Sequence, residues 1–121
     1  MKYMIIAYES PEDFDARGNR GDGADRHGHY WARWKAYGEA LSKAGVVLGM
    51  NGIQPRQTAR TVRLRAGTRQ VQEGPYADTR DQLGGYFIVD VPDEESALQW
   101  AASCPAAESG AVEVRPLLEK A

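Results

Sequence analysis

The two histidines of this chain, His27 and His29, stand in "DRHGHYWARW", where a glycine-rich, charged stretch gives way to an aromatic one. An imidazole at a helix N-terminus has its pKa lowered by the helix dipole, so it suits the role of a neutral general base near pH 7. The plainer alternative is a pair of solvated residues at the mouth of a loop. Two positions apart on a helix the rings point to different sides, so one at most serves a pocket. His29, one residue ahead of the aromatic face, is the expected base, with His27 kept as a ligand-binding candidate. Such a base needs a carboxylate to orient it, and Asp78 in "EGPYADTRDQLGG" is the candidate. Asp78 would equally well close an Asx-type turn on its own backbone. Tyr76 offers a ring to close an apolar pocket and a phenol to hydrogen-bond a ligand oxygen. Arg115 offers a planar fork for a carboxylate, or a structural pair with an acid such as Glu113. Trp31, Trp34 and Tyr37 either line an aromatic pocket or are core. Together these groups would remove a proton next to an activated carbonyl or a leaving group, with no cofactor.

Other chemistries fit less well. No His-x-x-x-His or Glu-x-x-His spacing is present, so no metal is expected. Cys104 is the single cysteine, which leaves no intrachain disulfide; at a helix C-terminus it is a poor thiolate. With 15 Lys plus Arg against 17 Asp plus Glu, the chain lacks the basic excess of a nucleic-acid or membrane-surface binder. Arg60, Arg63, Arg65 and Arg69 read as a solvated, aggregation-resistant edge rather than an RNA patch. The apolar start "MKYMIIAYES" is expected to be a strand and not a signal peptide, and no run approaches the ~18 apolar residues of a membrane span. A cytoplasmic protein of one domain, residues 1–121, is the expectation.

These residues need a frame. Lys2 to Tyr8 reads as a central strand, apolar on both parities. Much of Glu9 to Tyr30 reads as an irregular mobile loop, and the role of its glycine-rich part, 17–28, stays open. A helix from about Asp25 carries Tyr30, Trp34, Tyr37, Leu41 and Ala44 on one face and stops at Gly45. Strands follow at Val46 to Ile53 and Thr61 to Arg65, the latter with a hairpin return through "RQVQ". The connection from Glu73 to Gly85 is longer than a hairpin needs. Its Gly84-Gly85 pair suggests a bulge or close backbone approach. Tyr86 to Val91 is a strand; Asp93 caps a helix containing Ala97, Leu98 and Ala101; "ESG" is a turn; Ala111 to Leu118 is the last strand. The order β-α-β-(β-β)-β-α-β predicts an α+β, ferredoxin-like antiparallel sheet, two helices on one face and an inserted β-hairpin. The other face, expected to show Tyr3, Ile5, Val89 or Val91, would be covered by a second copy in a homodimer.

On "EGPYADTRDQLGGYFIVDV", together with "MKYMIIAYES", "WARWKAYGEALSKAGVV", "TARTVRLRAG", "DEESALQWAASCP" and "GAVEVRPLLE", the chain resembles the DGPF-motif branch of the YCII-related family. Glu73 replaces the Asp of that motif and Tyr76 its Phe. The resemblance implies a dimeric α/β plait with a cleft between first helix and sheet, binding a small molecule or partner. Genes of that branch often lie beside extracytoplasmic-function sigma factors, which suggests a link to signalling. Better-understood relatives are similar to a dehydrohalogenating enzyme and to muconolactone-isomerase-like proteins. They imply a cofactor-independent lyase or isomerase as the alternative, with a His on the first helix and an Asp before a Pro after the second. His27 or His29 meets the first requirement, while Cys104 stands before Pro105 at the second.

Overall fold

A computed structural model describes residues 1–18 and 24–119; the side chains of residues 24–27 lie outside the described set. The strands are β1 (Lys2–Glu9), β2 (Val47–Gly52), β3 (Arg60–Arg65), β4 (Thr68–Glu73), β5 (Gln82–Asp90) and β6 (Ala111–Pro116). The α-helices are α1 (Pro11–Gly18), α2 (Ala24–Ala44), α3 (Glu94–Ala102) and the short α4 (Ala106–Ser109). β2-β5-β1-β6 form one antiparallel sheet, and β3-β4 a separate hairpin between β2 and β5. That order, with α2 and α3 packed on one face, is the ferredoxin-like arrangement expected from the element order.

Two expectations are corrected. The stretch after β1 is helical through Pro11–Gly18 where a loop was expected. Ser10 supplies the start: its hydroxyl accepts from the Asp13 N–H at 3.2 Å and its carbonyl from Phe14 N–H at 3.1 Å. Proline at the first helical position and acids in the first turn complete an N-terminal signature. The "ESG" turn, likewise, is the end of α4.

The parity of the sheet is the second correction. Tyr3, Ile5, Val89 and Val91 are buried against α2 and α3, together with Tyr37, Leu41, Ala97 and Ala101. Burying a Leu41- or Ile5-sized side chain is worth about 2–3 kcal/mol, and on this parity the two helices supply that burial within the chain. Met4 stands opposite Ile88 and Ile6 opposite Tyr86. These four form the half-buried outer face instead. Among the described residues, no helix is long and apolar enough to cross a membrane.

Candidate functional site

β1 alternates Tyr3, Ile5 and Ala7 into the core, and the same parity carries Glu9 inward at its end, 1% exposed. A carboxylate there needs partners, because an unpaired buried charge costs several kcal/mol. α1 brings Arg17 to it: Nη2 ion-pairs with Glu9 Oε2. α2 brings Tyr30, whose hydroxyl donates to Glu9 Oε1. Arg17 Nε in turn donates to the Tyr30 oxygen at 2.9 Å, closing a three-residue ring of contacts. Arg17 also donates to the carbonyls of Ile53 at 2.5 Å and Gly84 at 2.9 Å, tying α1 to the ends of β2 and β5. Burial, and then the bond to Glu9 and its charge, raise the pKa of the Tyr30 hydroxyl.

The glycine pair of β5 follows from this cluster. Between Ala7 and Tyr8 the register with β5 slips by one residue, which leaves Gly84 as a bulge. A Cβ there would fall 1.7 Å from Glu9 Oε2. At Gly85 it would fall 2.9 Å from the Asn51 carbonyl. The long connection ahead of β5 is itself braced. Gln82, buried, donates to the carbonyls of Ala77 at 3.1 Å and Thr79 at 2.6 Å, and Arg80 reaches Glu12 of α1 at 3.0 Å. It therefore steadies the helix that carries Arg17.

Beside the cluster opens a cleft of about 630 Å³ between α2 and strands β2 and β5. Trp31, Trp34, Met50 and Phe87 make its apolar walls; Glu9, Arg17 and Tyr30 lie at its polar end. Trp34 is parallel to Phe87, with ring centroids 6.0 Å apart, and Trp31 meets Tyr30 edge-on at 4.9 Å. Trp31 Nε1 donates to the Arg17 carbonyl at 3.0 Å, which fixes that ring at the mouth.

Of the residues singled out in the sequence, Trp31, Trp34, Gly84 and Gly85 line this cleft, whereas His29, Tyr37, Tyr76, Asp78 and Arg115 stand outside its described lining. His29 is exposed and has no hydrogen-bond or ion-pair partner among the described residues; the His27 side chain lies outside the described set. Asp78 is exposed and paired with Arg56, so the structure does not join it to His29. Tyr76, 79% exposed, lies under the Arg63 guanidinium. Arg115 pairs with Glu113 of its own strand at 2.6 Å. Cys104 is buried, and burial pushes its thiol up to about 11. Among the described residues no three His, Cys, Asp or Glu side chains converge as metal ligands. Glu9 and Arg17 were missed; the signal available was a Glu closing an otherwise apolar strand, directly ahead of the Ser-Pro-Glu-Asp helix start.

Comparison with known proteins agrees with this architecture. Over 77 residues the chain is 35% identical to an uncharacterised protein of Rhizobium meliloti (strain 1021), a match spanning 62% of this chain and 62% of that protein. In fold this chain is similar to the 5-chloro-2-hydroxyhydroquinone dehydrochlorinase of Burkholderia phenoliruptrix AC1100, solved in complex with 2,5-dihydroxybenzoquinone. The TM-score is 0.54 at 16% identity, over 99% of this chain and 96% of that one. The YCII-related domain matches residues 1–120, and the chain belongs to the YCII-related family.

Proposed function

We propose that this protein binds a small planar molecule in the cleft between α2 and strands β2 and β5. The observation that carries the reading is the cleft's construction: aromatic and thioether walls around a few fixed polar groups, in a volume of about 630 Å³, the usual build of a small-molecule site. A flat ring suits walls made by Trp31, Trp34 and Phe87, which favour stacked or edge-on contact. The working unit is a homodimer, joined through the outer sheet face of Met4, Ile6, Tyr86 and Ile88. A partner protein in sigma-factor signalling is the alternative occupant of the same cleft.

Saturation-transfer NMR with hydroquinone and benzamide tests the cleft. Both are expected to bind the wild type and to lose binding in Met50→Trp, where a larger ring fills the space from a position already 40% exposed. Equal binding by that variant contradicts the reading.

A cofactor-independent lyase or isomerase is the second reading, favoured by the dehydrochlorinase that shares the fold. His29 as base and Asp78 as its orienting carboxylate would carry it, and Asp78 would have to leave Arg56 to do so. An unchanged rate of proton exchange from an activated ring carbon in His29→Gln and Asp78→Asn contradicts that assignment.

A further inference from the structure

The charge inside the cleft is closed on itself. Among the described residues, Glu9 and Arg17 are the charged pair of the lining; their opposite charges meet in one ion pair. The other hydrophilic side chains of the lining, Asn51 and Gln54, are neutral, as is Tyr30 with its raised pKa. Within the Glu9–Arg17–Tyr30 cluster, hydrogen-bonding capacity is nearly used up as well. The Tyr30 hydroxyl donates to Glu9 and accepts from Arg17. Of the five guanidinium N–H groups, Nε–H goes to Tyr30, both Nη2 hydrogens go to Glu9 and to the Gly84 carbonyl, and one Nη1 hydrogen goes to the Ile53 carbonyl. One Nη1–H is left without a partner among the described residues.

From this we infer that the cleft selects an uncharged planar ligand bearing one hydrogen-bond acceptor, a carbonyl, amide or phenol oxygen, placed on Arg17 Nη1, and rejects the matching carboxylate or phosphate. The inference rests on the cleft reading above. A ligand anion entering here gives up its hydration and meets a guanidinium whose charge Glu9 already balances, so its desolvation goes uncompensated. A neutral acceptor loses far less water and gains the remaining N–H. Glu9 is then the specificity-determining residue: it sets the charge that the cleft presents without needing to touch the ligand.

Benzamide and benzoate, nearly identical in shape, separate the outcomes when titrated into the protein and followed by the indole N–H signals of Trp31 and Trp34. The wild type is expected to bind benzamide at least about tenfold more tightly than benzoate. In Glu9→Gln, which keeps the shape and removes the charge, the preference reverses toward benzoate. Equal or tighter binding of benzoate by the wild type overturns the inference and leaves the cleft reading standing, and so does a folded Glu9→Gln with unchanged preference. Failure of both ligands to bind the wild type removes the cleft reading and this inference with it. The wild-type comparison alone decides the matter if Glu9→Gln does not fold.

Discussion

Glu9 and Gly84 occupy one another's space: the carboxylate of the first lies where the second would carry a Cβ, 1.7 Å from Oε2 and 2.6 Å from Cδ. The absence of a side chain at 84 is what allows a charged group to close the end of β1 and hold Arg17 at the polar end of the cleft.

Gly84→Ala therefore expels the carboxylate or breaks the β1–β5 bulge, and a loss of about 3 kcal/mol is expected in urea unfolding. Gly38→Ala is the control. Its new Cβ would meet Met50 Sδ at 3.6 Å, an ordinary contact, and a helix interior gains up to about 1 kcal/mol from the exchange. Equal effects at the two positions would contradict the account of Gly84.

Arg17→Met keeps the packing of the stem and leaves the Glu9 carboxylate buried without its counter-ion. Equilibrium unfolding should show a loss of about 3–5 kcal/mol. In the double variant with Glu9→Gln much of that loss should return, because no charge remains to be stranded. Additive losses would mean that the two residues do not act as a pair.

Alkaline pH should destabilise the fold in a defined window. Burial raises the Cys104 thiol from 9.0 to about 11, and raises the hydroxyls of Tyr30 and Tyr37 above their ordinary 10.0. Folded pKa values above the unfolded ones mean that the native state holds protons the unfolded chain has released. Stability is thus complete below about pH 9 and falls as pH rises toward 11. The slope is at most about 1.4 kcal/mol per pH unit for each proton. Cys104→Ala should flatten the slope between pH 9 and 11 in denaturant titrations, and wild-type Cys104 should react slowly with a thiol reagent at pH 8. An unchanged slope would show that the thiol is not protected by the fold.

The outer sheet face gives a test of assembly. Light scattering should find a dimer for the wild type and a monomer for Ile6→Glu, since a carboxylate there meets Met4, Tyr86 and Ile88 of an apolar surface. A wild-type monomer would contradict the homodimer.

Much of this architecture was legible in the residues. The 3- and 4-residue spacing of Tyr30, Trp34, Tyr37 and Leu41 marked α2 and its buried face, and Asp93, whose side chain accepts from the Ser96 N–H at 2.8 Å, marked the start of α3. Parity in β1 was harder, because Tyr3, Ile5 and Ala7 alternate with Met4, Ile6 and Tyr8, which are just as apolar. Only Glu9, a charge on the buried parity, hinted at a site. Its meaning needed tertiary pairing, since Arg17 and Tyr30 come from two further elements and Gly84 from a strand 75 positions away. His29 and Asp78 drew attention by residue type, whereas the cleft is organised by charges that neutralise one another.

A ¹H–¹⁵N titration of the wild type with benzamide decides whether the cleft takes a ligand. Shifts are expected to concentrate at the Trp31 and Trp34 indoles and at the amides of Gly52, Ile53 and Gly84. Absent shifts, or shifts gathered around Tyr76 and Asp78 instead, would contradict the cleft reading.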